Sequence, residues 1–389
     1  MNKKIILSFV TVTSMIAVTG AALVINGGLN SSSAFATNGE VWYHYAAVAP
    51  TETTHGSKEF WASSADGCTT HTFTNPGVTC VEHDFSENVY FASLTCDDDR
   101  YVPSGNESLG ITPMISTLNN TITYGLYPQT NVNDSTLVSA LNDLTTPESN
   151  GWYLYNNDYY AKVSATPYNS SYVFDNGTTI VSGTTYWFKC ELITWNVLSN
   201  SDGEYYILSN VLLDAHCYYD SDSNRTIGGK TIRPNNYEYS DIRTWLNNDF
   251  YNSAFALGNS YIQTTTVDNS ASTTNSSSNP CVCNNTEDKV FLPSYQDYIN
   301  SSYGFSTSTS STDTRCCRTT DWTRARGAYY YKPNTFDPYN GYYWTRSPLD
   351  SDYTRASIVS IDGSLKDIYV YGFYGAYHSV RPAITVEIA

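Results

Sequence analysis

The fold of this chain is decided around residues 239–255, which read YSDIRTWLNNDFYNSAF. Four apolar residues recur at the spacing of one helix face, and polar residues fall on the other face; the apolar residues are Ile242, Trp245, Leu246 and Phe250. Ser240 is a natural N-cap, because its side-chain oxygen can accept a hydrogen bond from a backbone N–H that the first turn leaves unpaired. We therefore predict an amphipathic helix that packs its apolar face on a sheet, in a domain of α+β class.

Several other segments predict short strands around this helix. Residues 187–198 alternate apolar and polar side chains, as in a half-buried strand. Residues 357–370 predict a hairpin that turns at Asp362-Gly363, because an Asp-Gly pair can supply the positive φ angles of a tight turn. Residues 384–388 alternate again and predict a last strand.

The charge of the chain limits its partners. The chain has 389 residues, enough for two domains, and its formal charge is −17, or −19 without Lys3 and Lys4. A surface this acidic repels phosphate backbones. Nucleic acid is therefore not expected as a partner.

The N-terminus has the order of a secretory signal peptide, predicted over residues 1–36. Lys3-Lys4 precede an apolar run over residues 5–25, and an A-x-A cleavage signal ends at Ala36. The alternative is an uncleaved membrane anchor, since the run is long enough to span a bilayer. Its interruption by Ser and Thr favours cleavage. The mature protein is then secreted or attached to the cell surface, without a stable membrane span.

Residues 37–110 are predicted to form a small Cys/His module. Cys68-x-x-His71 and Cys80-x-x-His83 could supply four ligands to a structural zinc ion. The alternative, favoured in an oxidising compartment, is a disulfide that involves Cys68 or Cys80, with both histidines exposed. Neither interpretation makes the module catalytic.

The chain has nine cysteines, so at least one of them is left out of any set of disulfides within the chain. Two pairs flank polar loops at 270–279 and 306–314: Cys281 with Cys283, and Cys316 with Cys317. We expect disulfides between these pairs that limit the entropy of the unfolded chain.

From residue 121 onward, ordered motifs resemble a known family. The motifs are TYGLYPQT (123–130), GWY (151–153), WFKCELITW (187–195), YILS (206–209), TEDKVFLPS (286–294), YWTRSP (343–348) and SVRPA (379–383). They resemble an uncharacterised extracellular bacterial domain that is similar to the formylglycine-generating-enzyme branch of the C-type-lectin-like fold. The resemblance covers residues 121–389 and implies that fold for them.

The activities of those relatives are not expected here. The resemblance would require a late pair of copper-binding cysteines for formylglycine generation, and no cysteine follows Cys317. The Glu-Pro-Asn and Gln-Pro-Asp calcium motifs of sugar-binding lectins are also missing. A structural calcium ion is left open.

A second, shorter resemblance concerns residues 40–83. HYAAVAPT (44–51) and GSKEFW (56–61) resemble parts of small Cys-containing modules of bacterial surface proteins. Strands are predicted at 41–45 and 58–61. The Cys-x-x-Cys that such modules carry is missing here.

The closing third is rich in aromatic residues, which offer rigid contact area with polar tips. The candidate ligand-binding residues are Tyr343, Trp344, Arg346, Tyr371, Tyr374 and Arg381. The two arginines are expected first of all to hold loops by donating to carbonyls and carboxylates.

The sequence therefore predicts a non-catalytic recognition protein that binds an extracellular glycan or protein through an aromatic loop surface. No nucleophile–base pair is recognisable in it. The alternatives are a structural surface or adhesin component, and an extracellular enzyme with a metal-assisted site near His378, Asp352 and Asp362.

We predict export with cleavage near Ala36, because the leader pattern is complete. Intact-mass measurement on protein from the culture medium should give the mass of a chain that begins at about residue 37. A mass that includes residues 1–36 would identify the apolar run as an anchor instead.

Overall fold

The computed structural model describes residues 34–36, 41–46, 61–62, 79–84, 89–91, 110–116, 119–330, 339–371 and 378–388. The chain forms two compact units, Met1–Ser108 with Met114–Thr121, and Leu109–Pro113 with Ile122–Ala389. The leader up to residue 33 lies outside the described residues. No helix in the described ranges is long and apolar enough to cross a bilayer.

The first unit contributes short strands: β1 (Ala34–Ala36), β2 (Val41–Ala46), β3 (Trp61–Ala62), β4 (Thr79–Asp84), β5 (Val89–Phe91) and β6 (Met114–Ser116). β2 pairs antiparallel with β3 and β4, and β1 pairs antiparallel with β5. The strand predicted at 41–45 is confirmed. Of the strand predicted at 58–61, only Trp61 lies within the described residues.

The chain from Thr121 onward contains the remaining strands. They are β7 (Thr121–Asn131), β8 (Tyr153–Tyr155), β9 (Asp158–Ser164), β10 (Thr185–Ser201), β11 (Glu204–Ser209), β12 (Asp214–His216), β13 (Arg225–Ile227), β14 (Lys230–Ile232), β15 (Thr265–Val267), β16 (Thr286–Asp288), β17 (Tyr343–Pro348), β18 (Arg355–Val359), β19 (Leu365–Tyr369), β20 (His378–Val380) and β21 (Ala383–Glu387).

In the described part of the chain, helices are few and short. They are α1 (Ser135–Asn142), α2 (Asp241–Trp245), a π-helical turn (Leu246–Phe250), α3 (Tyr251–Ala254) and α4 (Asp321–Ala325), with 3₁₀ turns at Ala271–Thr273, Asp297–Ile299, Ser301–Tyr303 and Asp313–Arg315. Much of the second unit is therefore loop. The observed class is a sheet-rich α+β fold, as predicted at that level.

The first sheet of the second unit is built around the long strand β10. Neighbouring strands follow the order β21-β11-β10-β7, and β9 pairs with the start of β10 and with β8. Trp187 and Trp195 on β10 are buried, and so is Ile384 on β21. The strands predicted at 187–198 and 384–388 are thereby confirmed.

The second sheet has the order β12-β20-β17-β18-β19. β17 and β20 run parallel, and the other neighbours are antiparallel. β18 and β19 form the predicted hairpin, but the turn is the five-residue loop 360–364 rather than a two-residue turn. Gly363 alone has a positive φ there, and a Cβ on it would come within 1.9 Å of the Thr312 carbonyl oxygen. Glycine is needed because another loop passes against this turn.

The central helix forms where predicted, but in three segments. The Ser240 hydroxyl accepts from the Arg243 N–H at 3.2 Å, which confirms the N-cap. Phe250 is buried with its ring 4.9 Å from that of Tyr127 on β7, so the apolar face packs on the first sheet. The π-helical turn in the middle was not predicted, since hydrophobic spacing does not distinguish it from an α-helical turn.

The predicted disulfides between the two cysteine pairs are wrong. All six cysteines whose side chains are described are free thiols: Cys190, Cys217, Cys281, Cys283, Cys316 and Cys317. The Cys316 sulfur lies 3.5 Å from both the Thr312 and the Ile361 carbonyl oxygens, and its one S–H can donate to either of them. The Cys317 thiol donates to the Asn210 carbonyl. Adjacent cysteines in these loops thus face different carbonyls.

Arg315 organises the loop at 306–314 in place of a crosslink. Its side chain is completely buried, and it donates to five backbone carbonyls: Gly363, Tyr298, Ser306, Ser308 and Ser310. A guanidinium has five N–H donors in a fixed geometry, which matches this ring of acceptors. A polar loop without apolar anchors is therefore folded around one cation.

We predict that Arg315→Met lowers the free energy of unfolding by roughly 2–5 kcal/mol, because buried acceptors lose their donors at about 1–3 kcal/mol each. Urea unfolding measures the loss, and hydrogen exchange should quicken at residues 306–314. Arg318→Met is the control. Arg318 pairs with Asp175 at a site where its side chain is 41% exposed, so its loss should cost about 1 kcal/mol or less. Equal losses in the two variants would contradict the assignment.

Candidate functional site

Four of the residues predicted to bind ligand are buried in the second unit. Tyr343 and Trp344 on β17 are 0% and 1% exposed, and Arg346 and Arg381 are buried as well. The Tyr343 hydroxyl donates to the Arg315 carbonyl at 2.6 Å, and the Trp344 indole N–H donates to the His216 carbonyl at 2.8 Å. The expectation that these side chains lie on a ligand-binding surface is therefore corrected. Tyr343 packs in a core cluster with Tyr298 and Phe305, and the rings of Tyr218 and His378 lie against Trp344.

The loop-holding role predicted for the two arginines is confirmed. Arg346 donates to the Leu292 and Asp268 carbonyls and forms an ion pair with Asp297 at 3.0 Å. Arg381 lies between β20 and β21, where the chain passes from the second sheet to the first. It donates to the Ser209 carbonyl of β11 and to the Tyr343 hydroxyl of β17, and so links both sheets.

The three residues of the enzyme alternative do not form a site. His378 is buried on β20, and burial lowers its pKa to about 4. Asp352 precedes β18 and Asp362 follows it, so the two residues lie at opposite ends of a strand roughly 16 Å long. Asp362 accepts hydrogen bonds from Ser311 and Ser364. The Asp362 carboxylate therefore holds the turn together. The expectation of a metal-assisted site at these three residues is wrong.

The zinc prediction falls largely outside the described residues. Cys68 and His71 lie outside them, and for Cys80 and His83 only the backbone positions in β4 are described. The zinc or disulfide alternatives thus stay predictions. Elsewhere in the described ranges, no group of three or more His, Cys, Asp or Glu side chains is placed to hold a metal ion.

Tyrosines on the surface lie instead at the start of β18 and the end of β19. Tyr353 is 48% exposed and Tyr369 is 37% exposed, and the Tyr371 ring lies 5.6 Å from that of Tyr369. We call Tyr353, Tyr369 and Tyr371 with Arg355 the tyrosine surface. Tyr374, also predicted to bind ligand, lies outside the described residues.

The sheet fixes the geometry of the tyrosine surface. Antiparallel pairing of β18 with β19 places Arg355 opposite Tyr369, and the guanidinium lies 4.3 Å from the centre of the Tyr369 ring. An ion pair of 2.7 Å with Asp367 holds that guanidinium in place. Rings and charge are therefore ordered before any ligand arrives.

The turn that carries Tyr353 is held from beneath by Asn235. Its buried side-chain amide donates to the Leu349, Asp352 and Arg355 carbonyls, and its backbone N–H donates to the Tyr353 carbonyl at 3.1 Å. Tyr353 was not singled out in the sequence. The signal was its position in the Asp/Ser turn LDSDY, a composition that predicts exposure.

Acidic residues lie near this surface and act on one of its phenols. The pKa of Tyr371 is raised by its slight desolvation and by the carboxylates of Asp222 and Asp352. Neutral phenols and a paired guanidinium offer stacking faces and hydrogen bonds, but neither a nucleophile nor a base. The arrangement is suited to recognition.

A cavity of about 320 Å³ contains a cysteine thiol and a histidine ring that lie close to each other. It is lined by Val163, Ser164, Thr166, Ala215, His216, Cys217 and Arg326. The Cys217 sulfur lies 3.9 Å from His216 Nδ1, but burial and the carboxylates of Asp241 and Asp220 raise the thiol pKa to about 11. Arg326 is paired with Asp214 at 2.6 Å. The thiol is thus protonated at neutral pH and is no activated nucleophile.

We predict that His378 makes stability depend on pH. Its folded pKa of about 4 lies below the ordinary 6.5, so the unfolded chain binds a proton more readily between these values. The free energy of unfolding should fall by about 3 kcal/mol as the pH drops from 6.5 to 4. Urea unfolding of the wild type and of His378→Phe isolates the effect, because the variant lacks only this titration. Parallel pH curves for the two proteins would contradict it.

Comparison with known proteins identifies one domain. No curated protein and no solved structure matches the chain. One family match begins at β11 and includes the central helix, the second sheet and the tyrosine surface, whereas β7 to β10 precede it. The prediction of an uncharacterised domain is confirmed at this level. Residues 202–388 match the family described as Domain of unknown function (DUF6273).

Proposed function

We propose that the second unit is a non-catalytic recognition module that binds an extracellular glycan or protein through the tyrosine surface. The observation that carries the proposal is the exposed ring of Tyr369, which lies on a guanidinium that Asp367 holds in place, together with the exposed Tyr353 in the turn before β18. Tyrosine and arginine are the side chains that dominate binding energy at many interfaces.

Rigidity supports this assignment. Tyr369 ends a paired strand, and the turn of Tyr353 is held by the buried amide of Asn235. Little conformational entropy remains to be lost when a ligand binds to such groups. A tyrosine face can stack on a sugar ring or pack against a protein side chain, and its hydroxyl can hydrogen bond in either case.

The proposed setting is extracellular, with the mature chain secreted or attached to the cell surface. The complete leader and the charge of −17 support it, and the same charge disfavours nucleic acid. The finer fold, C-type-lectin-like and close to formylglycine-generating enzymes, is proposed on the ordered motifs alone. It would suit a module that presents loops for binding.

We predict that Tyr353→Ala and Tyr369→Ala each weaken binding about tenfold or more, as expected for central aromatic contacts. A glycan array and a cell-binding assay on the intact chain identify the ligand, and titration then compares the variants. Tyr168→Ala is the matched control, because Tyr168 is 38% exposed but lies outside the tyrosine surface. All three changes are at the surface and should alter stability by only about 0.5 kcal/mol.

The competing functions give different results in the same experiments. A structural surface component would bind no glycan or cell and would assemble in an ordered way by itself. An enzyme would turn over a substrate after purification. Binding that is equally strong in all three variants would remove the tyrosine surface from the proposal.

A further inference from the structure

A polar pocket of about 470 Å³ lies beside the central helix, away from the tyrosine surface and with no residue in common with it. Its lining is formed by Ser149, Asn150, Asn248, Asp249, Asn252, Ser253, Phe255, Ala256 and Asn259. The volume is in the usual range for small-molecule sites, about 300–1,000 Å³, but such sites are mostly apolar. This one is lined mainly by carboxamides and hydroxyls.

The π-helical turn brings these side chains to one place. Asn248 and Asp249 lie within it, and Asn252 and Ser253 follow at a spacing of four residues in α3, so the two pairs share a face. Ser149 and Asn150, from the loop before β8, supply the opposite wall. π-helical turns are rare and are found frequently at functional sites.

Two of the pocket amides are bound to the backbone: Asn248 donates to the Thr244 carbonyl, and Asn150 accepts from the Trp152 N–H. Three other pocket side chains differ from Asn247 of the same helix in how they are used. The Asn247 side chain donates to the Arg243 and Val290 carbonyls and accepts from the Lys289 N–H, and so is committed to the fold. Within the described part of the chain, the side chains of Asp249, Asn252 and Asn259 have no hydrogen-bond partner. Their donors and acceptors thus remain available for a ligand.

The chemistry of the lining selects the ligand class. Side-chain amides donate and accept at neighbouring atoms, which matches hydroxyl groups that also do both. Asp249 is the single charged group in the pocket, so it opposes anions, and one carboxylate is too few for a calcium site. Phe255 is 2% exposed and gives no deep apolar anchor for a peptide side chain. A neutral ligand covered with hydroxyls matches this lining of amides and hydroxyls.

We propose that this pocket is a binding site for a neutral saccharide unit. Asp249 accepts hydrogen bonds from its hydroxyls, Asn252 both donates to them and accepts from them, and Asn259 closes the site on the side beyond α3. Ala256 supplies a small apolar contact. The site is independent of the tyrosine surface and extends the recognition function to a second ligand contact.

The test is a titration of the intact chain labelled with ¹⁵N-asparagine. The probes are glucose, mannose, galactose and N-acetylglucosamine, with N-acetylneuraminic acid as the anionic probe and glycerol as the non-specific one. At least one neutral sugar should shift the side-chain amide signals of Asn252 and Asn259, with a Kd of about millimolar, as expected for a small ligand in an open polar pocket. The anionic sugar and glycerol should not.

Variants assign the binding to the pocket. Asn252→Ala should weaken sugar binding about tenfold through lost hydrogen bonds, and alanine favours a helix, so the fold is kept. Asp249→Asn, which keeps the shape, should also weaken binding. Asn133→Ala is the matched control, since Asn133 is exposed and outside the pocket.

The outcomes separate this proposal from the first. Sugar binding that persists in Tyr353→Ala and is lost in Asn252→Ala supports the pocket, whatever becomes of the tyrosine surface. Absence of shifts with all four neutral sugars overturns it, as do equal affinities of Asn252→Ala and Asn133→Ala. Equal shifts with glycerol would also overturn it, because they would show non-specific contact.

Discussion

The second unit depends on the need of buried backbone carbonyls for hydrogen-bond donors. Its sheets are linked by long segments without regular structure, where many backbone carbonyls have no backbone N–H as a hydrogen-bond donor. Buried side chains do so instead: Arg315 donates to five carbonyls, Arg346 to loops on two sides, and Asn235 to three carbonyls of one turn. Arg381 joins β11 to β17 in the same manner. Removing one such donor leaves several acceptors unmet at once, so these few residues hold much of the loop structure.

This arrangement takes the place of the expected covalent crosslinks. Ser/Thr-rich loops can be ordered by a disulfide, which limits the unfolded chain, or by a buried cation, which stabilises the folded one. Arg315 follows the second route, and the neighbouring Cys316 and Cys317 remain thiols. The order of the loop then rests on permanent charge and not on the redox state of these cysteines, since a guanidinium stays protonated at any physiological pH.

The same scaffold accounts for where binding groups are found. Tyrosines inside the paired strands became core, as Tyr343 did, while those at strand ends and turns, such as Tyr353, stayed exposed. Asparagines divide in a similar way: Asn235 and Asn247 hold the backbone, and Asn252 faces an open pocket. Residue type alone does not separate these roles, because a tyrosine or an amide is equally suited to core and surface.

The sequence by itself determined the elements whose signals are local. Spacing of apolar residues gave the central helix, Ser240 gave its cap, alternation gave β10 and β21, and the Asp-Gly pair marked the β18–β19 hairpin. Tertiary structure alone decided which rings of the aromatic-rich third were buried, that the six described cysteines stay free, and that the helix widens into a π-helical turn. Each of these depends on residues far apart in sequence: Tyr343, for example, is covered by Tyr298 and Phe305, which pack in the same core cluster. No short-range pattern records such contacts, so the tyrosine surface and the polar pocket emerged only from the folded chain.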